Sequence, residues 1–192
     1  MRIIAGTCRG AQICAPRGMD TRPTQDKVRE SLFSIIQAYV PGASVLDLFA
    51  GSGALGLEAL SRGAGFAALA DHSREAAACI RKNIEKLRLA DATRLYLADW
   101  RQALAQMKAE GRRFDLVFLD PPYRLPVLEA CCEVLAQSDL LQRDALLVAE
   151  HLTAVPPEPV VDFALWKQRA YGDTEIHFYF YRPTPPEEGE KS

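Results

Sequence analysis

A glycine loop directly after a short apolar segment limits the possible folds of this chain more than any other part of its sequence. Residues 44–49 (SVLDLF) have the composition of a buried strand, and the loop behind them contains Gly51, Gly53 and Gly56 in a GxGxxG pattern. Glycine lets the backbone turn sharply and approach a ligand closely, and the following helix offers free N–H groups to an anion. The pattern therefore predicts the strand–loop–helix unit of a nucleotide-binding α/β fold.

Apolar strands and amphipathic helices alternate along most of the chain. Further strands are predicted at 66–70, 94–98, 114–119 and 145–149, and helices at 24–39, 54–62, 74–87, 101–109 and 126–136. Such alternation is typical of a parallel sheet covered by helices on both faces. Residues 160–171 and 174–182 flank Gly172-Asp173 and predict an antiparallel hairpin. The predicted fold class is α/β, with a mostly parallel seven-stranded sheet ending in that hairpin, the architecture of Rossmann-like class I methyltransferases.

The chain of 192 residues has room for one well-packed domain and a small N-terminal extension. Residues 1–23 are predicted to form a β-hairpin lobe, because two short β segments precede a stretch that contains proline and glycine. Residues 24–182 are predicted to form the main domain. The Pro- and Glu-rich residues 183–192 are predicted to be a disordered tail.

Charge is distributed unevenly along the chain, although its net charge is only −2. Residues 1–30 carry six basic and three acidic side chains, so a basic N-terminal arm precedes an acidic body. A local basic region of this kind favours contact with a polyanion. The arginines expected to contact nucleic acid are Arg2, Arg9, Arg17, Arg22 and Arg29.

Composition also argues against membrane and metal-binding classes. No apolar run is long enough to span a bilayer and no signal-peptide pattern opens the sequence, so we expect a cytoplasmic protein without a membrane partner. The five cysteines include no CxxC pair and have no histidine at ligand spacing, so they are expected to be reduced packing residues, and no metal site is predicted. We expect a monomer.

Acidic residues at strand ends indicate which nucleotide the loop binds. Asp47 lies inside the strand before the loop, where a bare carboxylate is costly unless a cationic group, such as the amine of S-adenosylmethionine, compensates it. Asp71 ends the next strand, where an acid can accept hydrogen bonds from ribose hydroxyls. Asp99 ends the third strand, either to meet the adenine amino group or to cap the next helix. The other residues expected to bind the donor are Phe49, Ala50, Gly51, Ser52, Gly53, Gly56 and Trp100.

A second chemical site is predicted directly after the fourth strand, where Asp120, Pro121, Pro122 and Tyr123 form the tetrapeptide DPPY. The prolines lack N–H groups, so the Asp120 carboxylate and the Pro121 carbonyl remain as acceptors beside an aromatic ring. Such acceptors suit the exocyclic amine of guanine N2 or adenine N6, which they would hold toward an electrophilic methyl group. Tyr123 is placed to stack on an extruded base. A 5-methylcytosine enzyme is excluded because no cysteine nucleophile follows the prolines.

Residues 1–182 resemble the bacterial RsmD family, which methylates guanine N2 in small-subunit ribosomal RNA. The resemblance is carried by residues 1–6, 9–10, 22–24, 28–33, 47–62, 120–123 and 171–174. It implies an S-adenosylmethionine-dependent rRNA (guanine-N2)-methyltransferase whose partner is 16S rRNA or the small ribosomal subunit, with Arg22, Thr24 and Arg29 near the pocket. The sequence departs from the family in having few basic neighbours around Arg9, and in having Asp71 where the family often has Glu.

Three alternatives remain open at this point. An N6-adenine DNA methyltransferase uses the same DPPY chemistry but normally carries a target-recognition domain. A non-catalytic, S-adenosylmethionine-binding ribosome assembly factor would not need the intact acceptor tetrapeptide. The glycine loop alone also permits NAD, so a dehydrogenase is the third alternative, although dehydrogenases usually have a separate substrate domain.

Overall fold

The computed structural model describes residues 1–16, 23–121, 127–152 and 161–183, without the side chains of residues 23–25 and 152. Strands and helices alternate through most of these ranges. The strands are β1 (Ser44–Asp47), β2 (Phe66–Asp71), β3 (Thr93–Leu97), β4 (Phe114–Leu119), β5 (Leu141–Leu152), β6 (Phe163–Tyr171) and β7 (Thr174–Tyr181). The helices are α1 (Pro23–Ile36), α2 (Ala54–Ser61), α3 (Arg74–Leu87), α4 (Trp100–Ala109) and α5 (Leu128–Ala136).

One sheet joins these strands in the order β3-β2-β1-β4-β5-β7-β6. Strands β1 to β5 pair in parallel, and β7 runs antiparallel to both β5 and β6. The predicted fold class is confirmed. The direction in which the chain adds strands reverses between β1 and β4, and in open α/β sheets a ligand crevice forms outside the carboxyl ends of the strands at such a point.

Two hydrophobic layers cover the sheet. The first contains α1, α2 and α3 and includes Leu57 and Ile80, and the second contains α4 and α5 and includes Leu104 and Cys131. Side chains alternate between the two faces along each strand. The layer into which a strand-end residue projects is therefore set by its position in the strand.

Most predicted elements agree with the observed ones within a few residues. Helix α3 and strand β4 have the predicted bounds, and the terminal hairpin turns at Gly172-Asp173. Strand β5 is 12 residues long, whereas the sequence predicts only residues 145–149. Polar residues at 142–144 interrupt the apolar pattern, and the pairing of β4 with β5 shifts register between Phe114 and Leu116.

The N-terminal segment forms a hairpin-like turn that packs onto the main core. Arg2 and Gln12 pair in one antiparallel bridge, and the Ile3 N–H donates to the Ala11 carbonyl at 2.9 Å. Ile3 and Ile13 are 1% and 5% exposed and belong to the same hydrophobic layer as α1. Removing this segment would therefore expose the core.

A buried carboxylate in α2 fixes the N-terminal segment. Glu58 is fully buried and accepts the N–H groups of Ile4 at 2.7 Å and Ala5 at 3.0 Å. Arg62 Nε, one turn further along α2, donates to the same carboxylate at 2.7 Å. A buried charge is costly unless it is paired and hydrogen-bonded, so this network depends on the segment staying in place.

Some expectations fall on residues that lie outside the described ranges. The tail predicted at 183–192 lies outside them except for Pro183. The domain boundary predicted after residue 23 adjoins residues 17–22, which also lie outside, and it stays a prediction. Among the helices that are described, none is both long enough and apolar enough to cross a membrane.

Candidate active site

A cavity of about 1040 Å³ lies at the carboxyl ends of the parallel strands, where the strand order reverses. The glycine loop forms one side, and the ends of β4, β5 and β7 form the other. The predicted site residues that line it are Arg29, Asp47, Phe49, Ala50, Gly51, Ser52, Asp71, Asp99, Trp100, Asp120 and Pro121. The structure therefore brings the two predicted chemical sites together in one cavity.

The loop requires glycine for two different reasons. Gly51 and Gly53 have φ angles of +56° and +77°, in the left-handed region that favours glycine. Gly56 instead packs against β2, because a Cβ at this position would lie 2.3 Å from Leu69 Cδ2. Gly51 lines the cavity, whereas Gly53 and Gly56 lie behind its wall and support the loop.

The acids at the ends of β2 and β3 both accept backbone N–H groups. Asp71 accepts from Gly51 at 2.9 Å and from Ser73 at 2.8 Å, so it ties the glycine loop to the start of α3. Asp99 accepts from the Arg101 N–H at 3.0 Å and caps α4, one of the two roles that the sequence permits. A carboxylate has about four acceptor positions, so both residues keep the capacity to bind a ligand from the cavity wall.

Asp47 is a buried carboxyl group at the end of β1. It is 2% exposed, and its Oδ2 accepts the Gly56 N–H at 3.0 Å. Burial, with a smaller contribution from the negative charge of Asp71, raises the pKa of Asp47 to about 7 in spite of this hydrogen bond. A cationic group delivered into the cavity would favour the ionised form.

Two carboxyl groups lie side by side at the opposite end of the cavity. Leu119 of β4 pairs with Ala149 of β5, so the next residues, Asp120 and Glu150, adjoin each other on one face of the sheet. Both line the cavity. Burial, and then the negative charges of Glu150 and Asp47, raise the pKa of Asp120 well above that of an ordinary carboxyl group. Sequence reasoning missed Glu150, because only the strand register reveals its neighbour.

Half of the DPPY tetrapeptide lies outside the described residues. Pro121 is buried in the cavity wall. Pro122 and Tyr123 fall within 122–126, and Arg17 and Arg22 fall within 17–22, neither of which is described. Base stacking by Tyr123 and RNA contact by these two arginines stay predictions.

The three described arginines of the basic arm have different surroundings. Arg9 is exposed, and Arg2, whose side chain is 61% exposed, forms an ion pair with Asp26 at 3.3 Å. Arg29 is only 6% exposed, in contrast to the exposed position expected for an RNA contact. Its guanidinium donates to the Arg2 carbonyl and to Asp26, and its Nε lies 3.9 Å from the Glu58 carboxylate. Arg29 thus joins the N-terminal segment to α1 at the cavity wall, and its contact with RNA stays a prediction.

The fold and this cavity together define a class, the Rossmann-like S-adenosylmethionine-dependent methyltransferases. A family model described as Conserved hypothetical protein 95 matches residues 1–180, and the chain belongs to that family, the RsmD family. The resemblance noted in the sequence is therefore confirmed.

Similar proteins cover nearly the whole chain. YlbH of Bacillus subtilis (strain 168), named as an rRNA methyltransferase, is 38% identical over 180 residues, which are 93% of this chain and 98% of YlbH. Ribosomal RNA small subunit methyltransferase D of Escherichia coli (strain K12) is 35% identical over 181 residues, 93% of this chain and 89% of that protein. The solved Escherichia coli protein yhhF is similar with a TM-score of 0.85 and 34% identity, covering 96% of this chain and 99% of its own. The RNA methyltransferase from Salinibacter ruber, solved with S-adenosyl-L-homocysteine, has the same fold at 14% identity, with a TM-score of 0.65 over 88% of this chain and 98% of that one.

Proposed function

We propose that the protein transfers a methyl group from S-adenosylmethionine to the exocyclic N2 amine of a guanine in small-subunit (16S) ribosomal RNA. The observation that carries this proposal is the Asp120–Glu150 pair, which lines the same cavity as the glycine loop. A relative that is 35% identical carries the name of a small-subunit rRNA methyltransferase, which supports this class of substrate.

The donor side of the cavity fits S-adenosylmethionine. The methionine part of this donor carries an ammonium group, which would compensate the buried Asp47 carboxylate. Asp71 would accept the ribose hydroxyls, and Asp99 with Trp100 would hold the adenine. NADH has no ammonium group that could compensate an ionised Asp47, which favours S-adenosylmethionine over NADH as the ligand. When bound, the donor supplies an electrophilic methyl group on a sulfonium.

The base side of the cavity favours guanine over adenine. Guanine presents N1–H and N2–H next to each other, which are two donors for two carboxylates. Adenine presents its N6 amine beside N1, an acceptor that would face the second carboxylate without a hydrogen bond when both carboxyl groups are ionised, the state that two N–H donors of a bound base would favour. Leaving a buried polar group unpaired costs about 1–3 kcal/mol. We therefore assign the N2 amine to Asp120 and N1–H to Glu150.

The transfer depends mainly on positioning. The Asp120 carboxylate and the Pro121 carbonyl accept both N–H bonds of the amine, so that the nitrogen lone pair points to the methyl group instead of delocalising into the ring. The new N–C bond forms as the C–S bond breaks, and the sulfur leaves as a neutral thioether. The methylated nitrogen is then cationic and strongly acidic. It loses a proton readily to the Asp120 carboxylate or to water, so no tuned base is needed.

The basic arm is too weakly charged to bind naked RNA tightly. Each neutralised phosphate adds a salt slope of about 0.7–0.9, so about three to five contacts give modest affinity at physiological salt. Extruding a guanine from a stack costs roughly a further few kcal/mol, whereas a guanine that is already unstacked avoids this cost. We propose that the assembled 30S particle is the preferred substrate, with ribosomal protein helping to present the base. A non-catalytic assembly factor would bind the same particle without modifying it.

The test is to incubate the protein with labelled donor and small subunits from cells that lack it, and to identify the modified nucleoside after digestion. We expect N2-methylguanosine at one position, and faster labelling of the particle than of protein-free 16S rRNA. Labelled N6-methyladenosine, or no label at all, would contradict the proposed function. Equal rates on particle and free RNA would contradict only the particle preference.

A further inference from the structure

We propose that His151, Glu175 and His177 form a second site that binds a divalent cation, with zinc as the ion that fits its donor set. The three side chains lie on β5 and β7, and their ligand atoms all lie within 4.8 Å of one another. The site is separate from the cavity that Asp47 and Asp120 line. The neighbouring residues Glu150 and Ile176 line that cavity, and adjacent residues of a strand point to opposite faces of the sheet.

The register of the antiparallel pair creates the arrangement. His151 lies directly opposite Glu175. His177, two residues after Glu175 on the same face, lies opposite Ala149, two residues before His151. Residues i and i+2 of one strand, together with a cross-strand neighbour, form a triangle of side chains within reach of one another. Three ligands on one side leave a fourth position open, as in many zinc sites. Because β5 and β7 are distant in sequence, spacing along the chain gives no hint of this site.

His177 is held in the orientation that a ligand needs. It is 6% exposed, and its Nδ1 lies 2.8 Å from the Tyr179 hydroxyl. In the tautomer with the proton on Nδ1, the ring donates to Tyr179 and presents the Nε2 lone pair, the second hydrogen bond that commonly orients metal-binding histidines. Nε2 is buried without a hydrogen-bond partner in the described ranges, and lies 3.6 Å from Glu175 Oε2. That separation is too long for a hydrogen bond but leaves room for an ion bonded to both atoms.

The distances between the ligand atoms and the types of ligand favour a small cation of intermediate softness. Bonds of about 2.1 Å to two atoms 3.6 Å apart meet at an angle of about 118°, close to the tetrahedral value. Two atoms bonded to one ion at about 2.1 Å lie at most about 4.2 Å apart, so ligand atoms that lie up to 4.8 Å apart need small side-chain rotations to bind it together. Two imidazoles and one carboxylate favour Zn²⁺ over Mg²⁺ and Ca²⁺, which prefer oxygen ligands. Glu175 is the most exposed of the three side chains and gives the ion a path into the site.

The chain contains three histidines, so the third, His72, provides a matched control. Its side chain is 76% exposed and lies beside Asp71. After chelator treatment, Zn²⁺ and Co²⁺ are titrated into the wild type and into His151→Gln, Glu175→Gln, His177→Ala and His72→Asn, with calorimetry and visible absorption as readouts. We expect one ion per chain in the wild type and in His72→Asn, and at least about tenfold weaker binding in the other three variants. Zinc at about 100 times the wild-type Kd should raise Tm by about 5–10 °C in the wild type and in His72→Asn, and by about half as much or less in the three site variants.

Two results would overturn the proposal. The first is a zinc affinity that is the same in the wild type and in a His151→Gln, His177→Ala double variant. The second is a thiolate-to-cobalt absorption band that disappears in Cys14→Ser, which would assign the ion to Cys14 and Cys79, whose Sγ atoms lie 2.6 Å apart. If circular dichroism shows that His177→Ala does not fold, the other two single variants decide, because both keep His177 and Tyr179.

Discussion

The two ends of the cavity use their carboxyl groups differently: we call the part around Asp71 and Asp99 the donor end and the part around Asp120 and Glu150 the base end, after their proposed ligands. At the donor end, Asp71 and Asp99 each accept backbone N–H groups, so these acids support the loops around them before any ligand binds. At the base end, Asp120 and Glu150 adjoin each other, and the pKa of Asp120 is raised by burial and by the Glu150 charge. The donor end is therefore organised by the protein itself, whereas the base end concentrates acceptors that a ligand with two adjacent N–H groups would satisfy.

Asp47 lies between the two ends and combines both properties. It accepts the Gly56 N–H, as the donor-end acids accept backbone groups, but burial raises its pKa to about 7. Its charge also contributes to the raised pKa of Asp120. Compensating Asp47 with the donor's ammonium would remove part of the electrostatic repulsion at the base end.

Removing the Asp120 carboxylate should distinguish the two ends most clearly, because turnover and donor affinity should respond very differently. We expect Asp120→Ala to reduce kcat by about 1,000-fold or more while leaving donor affinity within about threefold, because the donor contacts other loops. Single-turnover labelling and calorimetry measure the two quantities, with the exposed Asp91→Ala as a control. Near-normal turnover in Asp120→Ala would refute the proposed role of this carboxylate.

Truncating Asp47 should give the opposite pattern. We expect Asp47→Ala to weaken S-adenosylmethionine binding by about 2–5 kcal/mol, the range for losing one partner of a buried charge pair. Calorimetry with the Asp91→Ala control measures this loss. Unchanged affinity would remove Asp47 from the donor site.

The ligand-free protein should reveal the cost of the buried Asp47 charge. Its pKa is raised on folding, so stability is lost as pH rises from the unfolded value near 4 to the folded value of about 7. Asp47→Asn keeps an acceptor for Gly56 without the charge. Its gain in unfolding free energy over the wild type should be about 2–3 kcal/mol larger at pH 8 than at pH 5. Urea unfolding at both pH values measures this difference in unfolding free energy. If the difference is the same at both pH values, ionisation of Asp47 does not destabilise the folded protein.

Changes in the basic arm should have the smallest effects. Deleting residues 1–20 would expose the core around Ile3 and Ile13, so point variants are the informative test. We expect Arg9→Ala to weaken particle binding severalfold and to lower the salt slope by about 0.7–0.9, with donor binding unchanged. An unchanged slope would place the RNA contact on another surface.

The fold was predictable because its determinants are local in sequence. The apolar strand at 44–49, the left-handed glycines and the alternation of strands and helices each appear within short windows. The position of Asp47, Asp71, Asp99 and Asp120 at the cavity was predictable for the same reason, since each lies at a strand end or within two residues of one.

What the sequence could not reveal depends on register and burial. Glu150 gains its importance from lying beside Asp120, and the His151–His177 contact from the pairing of β5 with β7. Glu58 and Arg29 appear as ordinary helix charges in the sequence, but both are buried against the N-terminal segment. Such neighbours are distant along the chain, so no local pattern marks them.

The ratio of kcat/KM for guanine to kcat/KM for a guanine analogue decides whether Asp120 and Glu150 bind the neighbouring N2–H and N1–H groups of the base. Once the target is mapped, kcat/KM is measured for guanine and for 2-aminopurine at that position, in the wild type and in Glu150→Gln. The analogue keeps the 2-amino group but has an acceptor at N1, so the wild type should reject it by about 100-fold, near the upper end of the cost of about 1–3 kcal/mol for an unpaired buried group. The amide introduced by Glu150→Gln can donate to that acceptor, so the variant should lower the guanine-to-analogue ratio of kcat/KM at least about tenfold. The analogue also lacks O6, but this loss affects the wild type and the variant alike. A ratio that is the same in the wild type and in Glu150→Gln would contradict the assignment of N1–H to Glu150.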